Sequence, residues 1–169
     1  PASVVKCEGE SAILEVTPNN AVNLSYQWYN LEGAVSGANA NTLVFSNVTP
    51  VDADDYYCII TNQYGTVQSL SATLTVNTPA LISQSPVSTA NCEGETTTLS
   101  VVASGTDLSY QWQKDGQDII DEISASLQFS QLSTANNGNY TCVVSNLCNT
   151  LTSDIAVLTV NIFPVVDLG

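Results

Sequence analysis

Leu24-Ser25-Tyr26-Gln27-Trp28 lies in the first half of the chain, and Leu108-Ser109-Tyr110-Gln111-Trp112 repeats it residue for residue 84 positions later. A second landmark keeps almost the same distance. Cys7-Glu8-Gly9-Glu10 returns as Cys92-Glu93-Gly94-Glu95 after 85 positions. Landmarks that return in register indicate an internal duplication, so the chain contains two copies of a module of about 84 residues.

Short runs of alternating apolar and polar residues fill both copies. This period of two is the sequence pattern of half-buried β-strands, and no stretch of either copy predicts a helix. Turn-forming pairs such as Asp115-Gly116 and Asn137-Gly138 separate the runs. About seven short strands per copy, spaced by roughly 8–12 residues, are typical of a β-sandwich. The sequence therefore predicts an all-β fold with two tandem sandwiches.

The predicted domain boundaries follow from the repeat. We expect domain 1 over residues 1–77 and domain 2 over residues 78–161. The junction Asn77-Thr78-Pro79 is short and has no run of Gly or Ser, so it is not a loose tether. Residues 162–169 form a linker or the start of a following module, because Phe163-Pro164-Val165-Val166-Asp167-Leu168-Gly169 resembles the first strand of another β-module.

Charge excludes several classes of partner. The chain has two Lys or Arg residues against sixteen Asp or Glu, which gives a net charge of −14. Such a surface repels the phosphates of nucleic acid and the anionic headgroups of a membrane surface. No run of about 20 apolar residues is present, so we expect no membrane insertion. The acidity itself is typical of a soluble, non-aggregating surface.

The sequence offers little for catalysis. It contains no His, which excludes His-based triads and His zinc ligands, and it has no Gly-rich phosphate loop. We therefore expect no enzymatic activity, no catalytic residues and no cofactor. The acidic group Asp52, Asp54 and Asp55 is a weak calcium candidate, because hard cations take several carboxylate oxygens, but its spacing does not match the EF-hand loop.

A Trp, a Tyr and a Cys recur in the same order and in register in both copies. This arrangement resembles the immunoglobulin fold of the intermediate, or I-set, kind, in which a core Trp on strand C precedes a Tyr-x-Cys on strand F. The resemblance implies core positions for all six residues and a tyrosine corner in each copy. These residues are Trp28, Tyr56 and Cys58 in the first copy, and Trp112, Tyr140 and Cys142 in the second.

In its detailed sequence and composition, the chain resembles the tandem immunoglobulin-like repeats of bacterial cell-surface and secreted proteins, including large adhesins of the type IX secretion kind. The scarcity of Lys and Arg and the absence of Met and His fit such arrays. An animal adhesion receptor has the same skeleton. The resemblance implies an extracellular or cell-surface location and a structural or adhesive spacer, with neighbouring immunoglobulin-like modules of the same chain and surface polysaccharide or protein as partners.

The alternative function is an accessory carbohydrate-binding pair of modules in a secreted polysaccharide-active enzyme. Exposed aromatic side chains bind sugars by stacking. Tyr29 and Tyr64 are the candidate contacts, together with Tyr57, because Tyr26 and Tyr56 take the inward positions of their strands. Tyrosine is also common on the surface of ordinary strands, which is the simpler interpretation of these residues.

The cysteines depart from the immunoglobulin pattern. The usual bridge joins strand B to strand F, and its first Cys lies about a dozen residues before the Trp. Val16 and Val101 occupy those positions here, whereas Cys7 lies 21 residues before Trp28. We therefore expect the cross-sheet bridge to be absent, with the strand F cysteines acting as small buried apolar side chains.

Five cysteines cannot all pair within one chain. Cys7 lies at the lower end of its module and Cys148, in the hairpin between strands F and G, at the upper end of the second. In a head-to-tail tandem these two ends meet, so we favour an interdomain disulfide between them. A bridge from Cys7 to Cys58, with Cys92 to Cys142 alongside, stays open as an alternative, and so does a chain of free thiols. Any bridge implies an oxidising compartment.

Overall fold

The structure is a computed structural model, and it describes residues 1–19 and 22–162. The chain divides into two compact units, Pro1–Thr78 (unit 1) and Pro79–Gly169 (unit 2). Phe163 to Gly169, in which the sequence suggests the first strand of another module, lie outside the described residues.

Unit 1 is a sandwich of two sheets. The strands are β1 (Val4–Cys7), β2 (Ala12–Glu15), β3 (Ser25–Asn30), β4 (Gly33–Ala34), β5 (Thr42–Phe45), β6 (Asp54–Asn62), β7 (Gly65–Gln68) and β8 (Ala72–Asn77). The larger sheet has the strand order β1-β8-β6-β3-β4, with β7 also paired to β6, and the second sheet is β2-β5. The first and last strands of the unit, β1 and β8, run parallel, and the other pairings in the unit are antiparallel.

Unit 2 repeats this arrangement and adds one strand pair. Its larger sheet has the order β10-β18-β16-β13-β14, with β17 paired to β16, and β11-β15 lies opposite. The addition is the antiparallel pair β9-β12. The strands are β9 (Leu81–Gln84), β10 (Thr89–Cys92), β11 (Thr97–Ser100), β12 (Val102–Ser104), β13 (Ser109–Lys114), β14 (Gln117–Asp118), β15 (Ser126–Phe129), β16 (Gly138–Ser145), β17 (Thr150–Thr152) and β18 (Ala156–Asn161).

Alternation along the strands builds the two cores. In β6 every second residue is buried, and β16 shows the same pattern. Side chains of a strand point alternately to opposite faces, so the buried set of each strand lies on the face between the two sheets. Each unit has its own buried cluster around one Trp, which is Trp28 in unit 1 and Trp112 in unit 2.

The helical content of the described residues is confined to two single 3-10 turns, Pro50–Asp52 and Thr134–Asn136, which precede β6 and β16. Within residues 1–19 and 22–162, no helix has the length and apolar character that a membrane crossing requires.

Candidate binding surface and cysteine sites

The centre of each sandwich is a cross-strand pair of Trp and Cys. Trp28 on β3 lies opposite Cys58 on β6, and both side chains are fully buried. The indole Nε1–H of Trp28 donates to the carbonyl oxygen of Ala40 at 3.0 Å. A buried indole that also has its hydrogen bond leaves no polar atom unsatisfied, which suits it to a core position.

Unit 2 has the same centre. Trp112 on β13 lies opposite Cys142 on β16, again with no exposure of either side chain. Its Nε1–H donates to the carbonyl oxygen of Ser124 at 2.9 Å. The duplication therefore extends to the hydrogen bond that orients each indole.

A tyrosine corner precedes each buried Cys. The hydroxyl of Tyr56 donates to the carbonyl oxygen of Asp52 at 2.9 Å, and that of Tyr140 donates to the carbonyl oxygen of Asn136 at 2.7 Å. Burial is the main cause that raises the pKa of both phenols above the ordinary value of 10. Each hydroxyl therefore fixes the 3-10 turn before its strand rather than acting as an acid or base.

The repeated Cys-Glu-Gly-Glu motif closes the turn that follows the first strand of the larger sheet. In unit 1 the Glu10 carboxylate accepts from the amide of Cys7 at 2.8 Å, while the Glu10 amide donates to the Cys7 carbonyl at 3.0 Å. Glu95 and Cys92 make the same carboxylate contact at 2.8 Å. Gly9 has φ of 91°, a conformation that an L side chain rarely adopts. The motif is thus a turn device, not a ligand site.

The buried thiols are unpaired. Cys58 and Cys142 are free cysteines within their cores, and Cys92 is free and half-buried. The shifted bridges Cys7–Cys58 and Cys92–Cys142 are therefore excluded in this structure. Burial raises the pKa of the Cys142 thiol to about 11 and raises that of Cys58 as well. The described residues contain one disulfide bond, and the interdomain pairing of Cys7 with Cys148 stays a prediction.

Two serines support these cysteines, and sequence reasoning missed them. The amide of Cys58 donates to Ser69 Oγ, and the amide of Cys142 donates to Ser153 Oγ, both at 2.9 Å. Ser153 is itself buried. The available signal was the register, because Ser69 and Ser153 are 84 positions apart like the cysteines they serve.

The structure does not assemble the acidic residues into a calcium site. Asp52 accepts from the amide and hydroxyl of Thr49, and Asp54 accepts from the amide of Leu31. Asp55 accepts from Thr73 on the neighbouring strand. Across residues 1–19 and 22–162 no group of three metal-ligating side chains is close enough to hold an ion. Each carboxylate closes a local hydrogen bond instead.

The outer face of the larger sheet differs between the units. In unit 1, Tyr29 and Tyr57 are half-buried and stack with ring centroids 5.3 Å apart and planes 9° apart. The residues at the same repeat positions in unit 2 are Gln113 and Thr141. Unit 1 therefore presents a flat aromatic pair where unit 2 presents polar side chains, and aromatic side chains are enriched in the buried centres of protein interfaces.

Tyr64 stands apart from this pair. It lies in the turn between β6 and β7 and is 83% exposed. Its amide donates to the side-chain oxygen of Asn62 at 2.9 Å, which holds the turn, while the ring faces solvent. The structure thus does not join Tyr29 and Tyr64 into one stacking platform, since Tyr29 stacks with Tyr57 instead.

Comparison with known proteins finds a similarity to immunoglobulin domains. Residues 79–146 match a family described as immunoglobulin domain. The human cell adhesion molecule DSCAML1 is 30% identical over 149 residues, which is 77% of this chain and 7% of that protein. Protein turtle of Drosophila melanogaster is 27% identical over 167 residues, covering 86% of this chain and 11% of that protein. The chain thus spans a small part of these relatives.

Solved structures agree on the fold. The I67–I69 fragment of titin superposes with a TM-score of 0.75 at 23% identity, over 96% of this chain and 64% of that one. A complex titled Dpr11 IG1 bound to DIP-gamma IG+IG2 contains a chain with a TM-score of 0.69 at 19% identity, with 94% of each chain covered. The prediction of two tandem immunoglobulin-like sandwiches is confirmed. The relatives named here are animal proteins, and bacterial origin stays a prediction.

Proposed function

We propose that the chain is a non-catalytic adhesive and spacer segment of immunoglobulin-like domains, in a secreted or cell-surface protein. The observation that carries this proposal is the similarity to cell adhesion molecules over 149 residues, through two units that each have an immunoglobulin-like core. A repeated sandwich is a scaffold, so function resides in what its surface contacts.

The chemistry of the chain favours binding over catalysis. General acid–base work needs groups whose pKa values lie apart and near neutrality, and the chain has no His. The carboxylates of Asp52, Asp54 and Asp55 each accept hydrogen bonds that hold turns or neighbouring strands. These contacts support a structural role for the three carboxylates.

The partner we propose is another immunoglobulin-like domain, and the contact surface is the aromatic pair Tyr29 and Tyr57. When a second sheet covers a flat pair of rings, the rings bury a large apolar surface area and lose little side-chain conformational entropy. The complex of Dpr11 with DIP-gamma is titled as an assembly between immunoglobulin domains. That title supports the class of partner, while the stacked rings of this chain support the surface.

A two-colour bead assay tests the adhesive part. Beads coated with residues 1–162 should form mixed clusters, and the double variant Tyr29→Ser and Tyr57→Ser should abolish them. The matched control changes Gln113 and Thr141 to Ser on the same face of unit 2 and should leave clustering intact. No clustering of the parent chain, or equal loss in both double variants, would contradict this surface. Hydrolytic or transfer activity in the purified chain would contradict the non-catalytic assignment.

We also propose that Cys7 and Cys148 form the interdomain disulfide. The support is by elimination, since Cys58, Cys92 and Cys142 are free among the five cysteines of the chain. A covalent link would restrict the relative motion that domains sharing a small interface normally have. Peptide mapping without reductant should yield one peptide containing Cys7 and Cys148, whereas free thiol at both positions would contradict the link.

Carbohydrate binding remains the alternative, and the exposed ring of Tyr64 is the observation in its favour. A glycan array separates the two functions. Retention by a defined glycan, lost on Tyr64→Ala or Tyr29→Ala, would favour an accessory module of a polysaccharide-active enzyme. A bacterial, type IX secreted parent is likewise a proposal supported by the scarcity of Lys and Arg. The sequence of the whole parent protein, with or without a secretion-sorting domain, decides it.

A further inference from the structure

The loop between β14 and β15 of unit 2 is tied to the core Trp at three points. The amide of Ile119 donates to the carbonyl oxygen of Trp112 at 2.9 Å, and the amide of Trp112 donates to the carbonyl oxygen of Glu122 at 3.0 Å. The indole of Trp112 donates to the carbonyl oxygen of Ser124 further along the loop. Because Trp112 is fully buried, these contacts fix the β14–β15 loop to the centre of the sandwich.

The loop between β4 and β5 of unit 1 has the same anchors. The amide of Val35 donates to the carbonyl oxygen of Trp28 at 2.9 Å, and the amide of Trp28 donates to the carbonyl oxygen of Ala38 at 3.1 Å. Gly37 and Asp121 occupy the same position of the two loops, with φ of 74° and 65°. The two loops thus share their attachment and their turn, and they differ in the side chains that they present.

The β14–β15 loop presents two large apolar side chains to solvent. Ile120 is 86% exposed and Ile123 is 64% exposed, whereas the same positions of unit 1 are Ser36 and Asn39. Single exposed apolar residues are ordinary on protein surfaces. The informative feature is that two of them lie four residues apart on one anchored loop, while the duplicated loop has polar side chains at both positions.

Two carboxylates lie between these isoleucines. They belong to Asp121 and Glu122, and the matching residues of unit 1 are Gly37 and Ala38, which carry no charge. No described residue donates a hydrogen bond to either carboxylate. Glycine is the residue best suited to a positive φ, so the Asp side chain at this position is not explained by the turn.

We propose that the β14–β15 loop is a docking element for a partner protein that has an apolar pocket bordered by Lys or Arg side chains. The two isoleucines enter the pocket, and the two carboxylates face the cations at its border. Interfaces commonly bury apolar side chains at the centre and keep charge at the rim, and opposite charges select the partner. A loop that is already fixed loses little conformational entropy when it binds.

The charge of the chain indicates that this partner is not a second copy. The chain has sixteen Asp or Glu residues and only two cations, Lys6 and Lys114. Lys114 already donates to the carbonyl oxygen of Ala135. The cations of the pocket must therefore come from a different protein. This docking element goes beyond the proposed function and does not depend on the contact of Tyr29 and Tyr57.

NMR titration of the full chain tests the chemistry of the pocket. The probe is an amphipathic helical peptide composed of Leu and Lys, added to isotope-labelled residues 1–169. Resonances of Ile120 and Ile123 should shift selectively and reach saturation. A peptide with Ser in place of Leu and a peptide with Glu in place of Lys should each bind much more weakly, because the first has no apolar side chains and the second has the wrong charge.

Exchange of the two loops provides the matched variants. The unit 2 variant takes the residues of unit 1 and should bind the Leu–Lys peptide about tenfold more weakly or worse. Transfer of the unit 2 residues to unit 1 in that background should restore binding. The first variant is Ile120→Ser, Asp121→Gly, Glu122→Ala and Ile123→Asn, and the transfer is Ser36→Ile, Gly37→Asp, Ala38→Glu and Asn39→Ile.

Two further variants separate binding from stability and from general charge. Asp121→Gly alone should weaken peptide binding without lowering the midpoint of thermal unfolding, because glycine suits the positive φ. The pair Glu8→Gln and Glu93→Gln removes the same number of charges as the loop exchange, at exposed positions elsewhere, and should leave binding unchanged.

Three results would overturn the proposal. The first is that the parent chain shows no shifts at millimolar Leu–Lys peptide. The second is that the loop-exchanged chain, with unchanged tryptophan emission, binds as tightly as the parent. The third is that the Ser–Lys peptide binds as well as the Leu–Lys peptide, since attraction by net charge alone would then account for the contact.

Discussion

Units 1 and 2 share a core and differ on the outer face of the larger sheet. Both bury a Trp–Cys pair and both anchor a Tyr on the turn before the central strand. Unit 1 carries the stacked rings of Tyr29 and Tyr57, where unit 2 has Gln113 and Thr141. The difference shows that the core specifies the immunoglobulin-like sandwich, while the outer face is free to diverge.

The largest effect should come from removing either indole. Trp28→Ala and Trp112→Ala should each lower the free energy of unfolding of their own unit by about 3–5 kcal/mol, because a large buried side chain leaves a cavity. Each variant keeps one Trp, so fluorescence-detected urea unfolding then reports only on the untouched unit, while circular dichroism follows both. A matched loss in the untouched unit would show that the two cores are not independent.

The free energy of unfolding should depend more strongly on alkaline pH in unit 2 than in unit 1. The pKa of Cys142 is about 11 in the folded state against 9.0 in the unfolded chain, so the unfolded state loses its proton first as pH rises. The contribution of the protonated thiol to the free energy of unfolding is complete below pH 9. It disappears as pH approaches 11, which lowers the free energy of unfolding by up to about 2–3 kcal/mol. The raised pKa of Tyr140 acts in the same direction above pH 10.

Urea unfolding of the Trp28→Phe variant between pH 8 and pH 11 measures this loss in unit 2. The Cys142→Ala variant in the same background should flatten most of the curve. If the slope is unchanged by that substitution, the thiol is not its source.

Removing the serine hydroxyl that accepts from the buried Cys amide should destabilise each unit by a smaller amount, and the two units should differ. Ser153→Ala removes the acceptor for the buried amide of Cys142 and should cost about 1–3 kcal/mol, since an unsatisfied buried donor retains its desolvation penalty. Ser69→Ala should cost less, because Ser69 is only half-buried and water can replace its hydroxyl. Thermal unfolding of the two variants beside Ser3→Ala, at an exposed serine, checks the order. Equal losses would mean that exposure of the serine does not matter.

The smallest effect concerns the Cys-Glu-Gly-Glu turns. Glu10→Ala and Glu95→Ala each remove a carboxylate that accepts from a backbone amide on an exposed turn. We expect losses of about 0.5–1.5 kcal/mol, similar in the two units because the contact is the same. Differential scanning calorimetry checks this, with Glu15→Ala as the exposed control. A much larger loss in one unit would reveal an additional role for its turn.

Much of the fold was predictable because its determinants are local and repeated. The alternation in β6 and β16, and the order of Trp, Tyr and Cys, indicated the sandwich without any tertiary information. The absence of a cross-sheet bridge followed from Val16 and Val101 at the strand B positions, and both cysteines opposite them are free. Because the sequence is duplicated, each strand assignment can be checked at two places in the chain. This reduces the ambiguity between strand and helix for a short apolar run.

The surface features were less accessible to sequence reasoning because they depend on partners distant in the chain. Asp52, Asp54 and Asp55 are clustered in sequence, which made them a weak calcium candidate. Their side chains accept hydrogen bonds from Thr49, Leu31 and Thr73 instead, and no group of three metal-ligating side chains is found among the described residues. The pairing of Tyr29 with Tyr57 required the register of β3 against β6. Sequence parity placed both outward but did not show that their rings stack.

The parallel pairing of the first and last strands of the larger sheet has a mechanical consequence. Val4 to Cys7 lie beside Leu74 to Asn77, and Thr89 to Cys92 lie beside Leu158 to Asn161, in matching registers. Tension applied through the two ends of such a unit slides these strands past each other lengthwise. The hydrogen bonds of the pair then carry the load together, instead of opening one after another as in unzipping. Each unit should therefore resist extension at its own ends, before any rupture of its Trp-centred core.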